Sequence, residues 1–260
     1  MVFSNHKIED GFADDKLYFA DKKSLSNSML GVLDESAVKF DLMMKGEWSY
    51  PHKQAFDIGS AVHSIYLEGI DNRLLVEGTR RDKTFREHGA ANPEKIVFQA
   101  TDYNLVTAMV DRLQETPELN DFLGQFPEQN PELAATANVT TPKGNVISVK
   151  GKADMLLSDG FSTPILMDLK TSAKGITDWK RAAWYYSYPR QAYLYSQLFQ
   201  VKEFYFAVVT KEWPYEVALL KATPAFIDKG RKMFENSILD YEYLFLEGNY
   251  SPSKGIVGTL

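Results

Sequence analysis

Apolar and polar positions change their rhythm twice along this chain. After a polar lead of about 23 residues, SLSNSMLGVLDESAVKFDLMMKGE (24–47) reads as a helix, with Ser26 or Asn27 as its N-cap. In KQAFDIGSAVHSIYLEG (53–69), Ala55, Ile58, Val62, Ile65 and Tyr66 recur at three- and four-residue steps, which predicts a second helix. A third is expected over TDYNLVTAMVDRLQETPELNDFL (101–123). Between them, EGTRRDKTFREHGAANPEKIVF (77–98) is charged and has little periodicity, as expected of a mobile or substrate-contacting connection. NVTTPKGNVISVKGKADMLL (138–157) and TPILMDLKTS (163–172) then alternate apolar with polar residues and are rich in Val and Ile, which predicts strands. SDGFSTP (158–164) reads as the hairpin between them. RQAYLYSQLFQ (190–200) is helical, starting just after Pro189. KEFYFAVVTK and PYEVALLKA read as two more strands, and a long final helix runs from Thr223 to Gly248. The expected fold is a mixed α/β domain with one central sheet flanked by helices. Its parts are the lead (1–23), a mainly helical part (24–130), a sheet-and-helix part (131–220) and a C-terminal helix and tail (221–260).

The 260 residues are 44% hydrophobic and 13% aromatic, enough for a substantial core. No stretch approaches the roughly 18 uninterrupted apolar residues of a membrane span. The opening MVFSNHKIEDGFADDK carries early acids and no apolar run, so it does not read as a signal peptide. The absence of cysteine removes disulfides, thiolate nucleophiles and zinc–cysteine sites, and it fits a cytoplasmic protein. The net charge of −6 argues on its face against a nucleic-acid binder. A metal-dependent nuclease, however, concentrates carboxylates at its site and meets the phosphate through the cation they hold.

The candidate chemistry lies in GKADMLL and MDLKTS. On a strand, Asp168 and Lys170 project to one face while Leu169 points into the core. A hairpin centred near Phe161 sets Asp154 opposite Asp168, bringing a second carboxylate to that face. Two carboxylates beside an ammonium suit a magnesium ion held by hard oxygens, with the lysine orienting or deprotonating a water. The carbonyl of Leu169 is a natural extra ligand. Taken alone, Asp-x-Lys is more ordinarily a surface salt bridge. Gln191 and Tyr195, four apart, share a helix face and offer an amide and a hydroxyl to a phosphate or water, though a half-packed Tyr is the commoner use of such a position. His63, alone on an amphipathic helix, has no metal-ligand spacing to any other histidine.

Taken in order, Asp154, Asp168-x-Lys170 and Gln191-xxx-Tyr195 resemble the RecB-like PD-(D/E)XK nucleases, and most of all the RecE-type exonuclease, exodeoxyribonuclease VIII. The similarity runs from about Ser24 to about Leu220. It includes the GSAVHSIYLEG helix, the TRRDKTFRE segment and the YYSYPRQAYLYSQLF run. The resemblance implies a PD-(D/E)XK core that digests linear double-stranded DNA from 5′ ends with magnesium or manganese and leaves a 3′ strand for an annealing recombinase. It makes His63, Asp154 and Asp168 metal ligands, Lys170 the water-activating residue, and Gln191 with Tyr195 their support. Two departures stand out. Ala153 replaces the Pro often found before the first Asp, and LAATANVT has no acid where many relatives carry a Glu, Glu132 lying just upstream.

Arg80, Arg81, Lys83 and Arg86 gather four positive charges in a short span and are the expected DNA contacts. An endonuclease or single-strand nuclease on the same core would use identical residues, and a DNA-binding protein on a retired core would break the Asp, Asp, Lys set, which is intact. No phosphate-binding glycine loop, nucleophile elbow or zinc helix supports another hydrolase. An acidic monomer holds duplex poorly. The expectation, shared by RecE-type enzymes, is a ring-shaped homo-oligomer, a tetramer, with its basic residues facing a channel.

Overall fold

The structure, a computed structural model, describes residues 1–8 and 15–252. The strand signals of the middle of the chain converge on one six-stranded sheet. Across it lie β1 (Val2–Ile8), β4 (Glu128–Thr140), β5 (Val146–Ser158), β6 (Ile165–Ser172), β7 (Glu203–Thr210) and β8 (Val217–Lys221), in that spatial order. A separate parallel ribbon pairs β2 (Arg73–Leu75) with β3 (Ile96–Phe98). All neighbours in the main sheet are antiparallel except β6 and β7. A parallel pair needs a long crossover, and here it is made by α8 (Ile176–Ala183) and α9 (Tyr188–Leu198). β6 and β7 are the most buried strands of the main sheet because both of their faces are covered.

Two cores result, one on each face. The first packs α2 (Asn27–Glu35), α3 (Ala37–Met44), α8, α9 and α10 (Pro224–Tyr241) against Ala135, Val139, Val149, Leu166, Phe204 and Phe206. The second packs α4 (Gln54–Glu68), α6 (Ala100–Gln114) and α7 (Pro117–Leu123) against Met155, Leu157, Met167, Leu169, Ala207 and Val209. α9 and α10 approach so closely at Gly230 that an added Cβ would stand 1.9 Å from the Pro189 carbonyl oxygen, so only glycine fits.

The sheet is larger than the sequence pattern suggests. Val2–Ile8, expected to be part of a structureless lead, pairs with β4 as an edge strand, and a short helix α1 (Asp15–Ala20) follows; residues 9–14 of that lead lie outside the described residues. The helix expected over 24–47 breaks at Ser36, whose extended backbone and hydroxyl cap α3 by accepting from Lys39 N. The one expected over 101–123 breaks before Pro117, which has no N–H to continue a helix. The charged connection 77–98 is ordered, carrying α5 (Lys83–Ala91) and β3. The last helix changes to a π-helical turn at Glu242–Leu246 and ends at Gly248, whose φ of 73° is left-handed. No helix among the described residues is long and apolar enough to cross a membrane.

Candidate active site

The site grows from the β5–β6 hairpin. Its register, Met155 opposite Met167 through Leu157 opposite Ile165, centres the turn on Phe161. Asp159 stabilises the turn by accepting from Phe161 N and Ser162 N. One more step of the ladder would set Asp154 against Asp168, but pairing stops at Met155. Alternation would keep Ala153 and Met155 on one face. They lie in opposite cores, so β5 turns over at Asp154. Across from Asp154 in the β4–β5 register stands Glu132, which the ladder skips and which has a left-handed φ of 57°. Such a backbone is costly for a residue with a Cβ and gathers at functional sites.

Because β5 leaves β6 here, the Leu169 peptide loses its sheet partner on that side, and side chains replace it. Asp154 Oδ2 accepts from Leu169 N at 2.7 Å, and His63 Nε2 lies 2.8 Å from the Leu169 carbonyl oxygen. A carbonyl accepts only, so His63 carries its proton on Nε2 and donates it there. The Nδ1 lone pair then faces Asp154 Oδ2 at 3.5 Å. Two acceptors aimed at one another need a proton or a cation between them. Glu132 completes the group, with one ligand atom from each of His63, Glu132 and Asp154 lying within 4.8 Å of the others. A neutral imidazole with two carboxylates fits a divalent cation.

Asp168 stands beside that group, outside it. Gln191 Nε2 donates to Asp168 Oδ1 at 2.6 Å, and Lys170 Nζ lies 2.5 Å from Oδ2, so both oxygens are engaged. Leu169, fully buried between them, points the other way into the second core. Burial pushes both Asp154 and Asp168 up to about 6. The neighbouring carboxylates add to this, against the pull of Lys170. The two acids in turn hold Lys170 above its usual value despite its burial. Burial, then Lys170, lowers His63, which keeps it neutral. Lys170 also sits 5.4 Å from the centre of the Tyr188 ring.

α9 brings Gln191 and Tyr195 to the same wall. Tyr195 lies so close to Gly151 that a Cβ there would be 2.6 Å from its ring, and burial raises its hydroxyl well above the usual range. On the opposite side of α9, the fully buried Arg190 donates to Asn27 Oδ1, the Asn27 carbonyl, Asp34 and Ser237, which ties α9 to α2 and α10 and fixes its rotation. The cluster opens into one cleft of about 750 Å³, lined by His63, Glu132, Lys152, Asp154, Lys170, Tyr188, Gln191 and Tyr195 among others, with Asp168 buried behind Lys170 and Gln191. A second, mainly apolar hollow beside Trp179 and Phe226 contains no such cluster.

The basic segment is divided. Arg80 turns inward, 3.0 Å from Asp57 on α4 and 3.7 Å from Asp102 on α6, whereas Arg81, Lys83 and Arg86 are exposed on or beside α5. None of the four lines the cleft, though Asp57 places Arg80 beside the helix that carries His63. Glu132, noted in the sequence as lying just upstream, had no place there because β4 begins at Glu128, ten residues before the expected strand. The turn at Thr141–Gly144, extended as a ladder, sets Glu132 opposite Asp154 and could have found it. Lys152, 2.7 Å from Glu132, follows from the same register.

Residues 26–254 match the model of a family described as PDDEXK-like domain of unknown function (DUF3799). The chain belongs to this family. Among solved structures, the PDDEXK-like chain overlays on a "putative exonuclease" from Eubacterium rectale with a TM-score of 0.60 at 13% identity, covering 96% of this chain and 95% of that one. At that identity the overlay speaks for the fold, a mixed sheet flanked by helices. A phage related exonuclease from Haemophilus somnus 129PT overlaps at a TM-score of 0.36 and 12% identity, over 90% of this chain and 99% of that one. No curated protein matches the PDDEXK-like chain.

Proposed function

We propose that this PDDEXK-like protein is a divalent-metal-dependent nuclease, and that it acts as an exonuclease on the ends of linear double-stranded DNA. The observation that carries the reading is the facing pair of acceptors, His63 Nδ1 and Asp154 Oδ2, beside Glu132 and the Lys170–Asp168 pair. His63, Glu132 and Asp154 would hold the cation, with Asp168 next to them. Magnesium, or manganese in its place, supplies Lewis acidity toward the phosphoryl oxygen and toward water. The chain's own residues do the rest. Asp168, pinned by Gln191, holds the Lys170 ammonium in place, where it orients the attacking water and stabilises charge developing on the phosphate. Burial of the cluster strengthens each of these contacts.

Exonuclease action, 5′ to 3′ polarity and hand-over of a 3′ strand to an annealing recombinase rest on the RecE resemblance. So does a tetrameric ring, which the net charge of −6 also favours. The deciding experiment compares end-labelled linear duplex with a covalently closed circle, each with magnesium and with EDTA. The expected result is metal-dependent loss of label from the linear DNA and an intact circle. Cleavage of the circle would replace the exonuclease by an endonuclease, and cleavage in EDTA would overturn the metal site.

A further inference from the structure

Three lysines line the cleft, and two are matched by acids: Lys170 by Asp168 and Lys152 by Glu132. The third, Lys211, has no carboxylate within ion-pairing distance among the described residues. Its Nζ reaches only the Ala55 carbonyl, at 3.4 Å. Burial alone acts on it, lowering its pKa, with no neighbouring charge to oppose the effect. The acid in the first turn of α4, Asp57, is already shared by Arg80 and His52. A half-buried cation without a counter-charge, facing a cleft, is unfavourable unless a ligand supplies the anion.

Its position says which anion. Lys211 N donates to the Ser172 carbonyl, so the residue stands level with Ser172 at the end of β6. That is two strand residues, or about 7 Å, beyond Lys170. The two ammoniums also enter the cleft from different walls, Lys170 beside Tyr188 on α9 and Lys211 beside Ala55 on α4, which suits successive phosphates of one strand. Beside it, Phe56 follows Ala55 on α4 and lines the same cleft with 51% of its surface exposed. A cleft of about 750 Å³ is the size of a pocket for one compact ligand, a nucleotide or two rather than a duplex. A cation with an exposed aromatic beside it is the combination that takes a single-stranded nucleotide, by ion pairing to phosphate and stacking on the base.

We infer that Lys211 and Phe56 form a nucleotide subsite that grips an unpaired residue of the substrate strand one phosphate away from the bond cut beside Lys170. This rests on the nuclease reading, and the test separates the two. A set of short single-stranded oligonucleotides is made, each with one neutral methylphosphonate linkage at a different position, and cleavage is measured in magnesium. For the wild type, one position besides the cleaved one should lower kcat/KM by about tenfold. Lys211→Gln should lose about as much on the unmodified strand and be indifferent to that same linkage, and Lys211→Arg should restore the wild-type profile. Phe56→Leu should cost about five- to 100-fold in affinity, and an abasic residue at the adjoining position should remove that difference. Thermal melting confirms that the variants are folded. If Lys211→Gln and wild type show the same linkage profile, the subsite is wrong although the nuclease stands. If the wild type does not cut these strands, anisotropy with the same oligonucleotides reads the subsite by binding, and no difference between wild type and Lys211→Gln there overturns it too; the nuclease reading falls only if linear duplex is left uncut as well.

Discussion

Replacing Asp154 by Asn should make the metal-free protein more stable while abolishing its activity. The Asp154 carboxyl accepts one hydrogen bond, from Leu169 N, and an Asn carbonyl oxygen can accept the same bond. What the substitution removes is a buried negative charge. Burial raises the Asp154 pKa from 3.8 to about 6, so the folded state holds its proton more tightly than the unfolded chain does. Below about pH 3 both states are protonated and the group costs nothing. As pH rises from about 4 to about 6 the unfolded chain ionises first and stability is lost; above about 6 the loss is complete and constant. At 1.36 kcal/mol per unit, the full loss is on the order of 3 kcal/mol, an upper bound for one group. In a chain of this size each kcal/mol moves Tm by about 2–4 °C, so Asp154→Asn should melt roughly 6–12 °C higher in EDTA at pH 8, and the gap should shrink to about a third by pH 4.5 and close near pH 3. Magnesium should invert the order. At 1,000 times its Kd it adds about 4.1 kcal/mol to wild type, more than the cost of the charge, and nothing to a variant without the ligand. Calorimetry of both proteins at four pH values, with EDTA and with magnesium, reads all of this. A constant gap between the two across pH, or equal magnesium shifts, would refute the reasoning.

Lys170→Met and Asp168→Asn should each reduce DNA cleavage by about 10³-fold or more, measured as turnover on end-labelled duplex, with circular dichroism unchanged. Gly151→Ala drives a methyl to within 2.6 Å of the Tyr195 ring and 2.8 Å of Leu198, and should cost about 1–3 kcal/mol as a lowered urea midpoint. Neutralising Arg81, Lys83 and Arg86 together should flatten the salt dependence of duplex binding by about 0.9 in slope for each phosphate they neutralise in the wild type. Arg80→Ala should instead lower thermal stability, because it unties α4 from α6. Light scattering should return the mass of a tetramer, and a DNA-trap assay should show processive digestion; a monomer with distributive products would remove the ring.

What was legible in the sequence is what local chemistry dictates. Period and turn residues disclosed α4, the β5–β6 hairpin, β7, β8 and the long last helix, because each is defined by neighbours in the chain. The two-residue alternation that puts Asp168 and Lys170 on one face and Leu169 on the other is a property of any strand. The hairpin centre at Phe161 followed from where its turn residues lie. The remainder depended on partners far away in the chain. β1 is a strand only because β4, more than a hundred residues later, offers it an edge. Glu132 reaches the cluster because β5 turns over at Asp154 and β4 follows it through a left-handed residue, a change of face that no periodicity announces. His63 looked like an ordinary helical histidine, since the feature that distinguishes it is a carbonyl 106 residues away. That carbonyl is free to accept only because β5 has left β6 at this level. Local sequence settles which way a side chain points from its own strand, whereas the packing of distant elements settles what it meets there and how far its pKa moves.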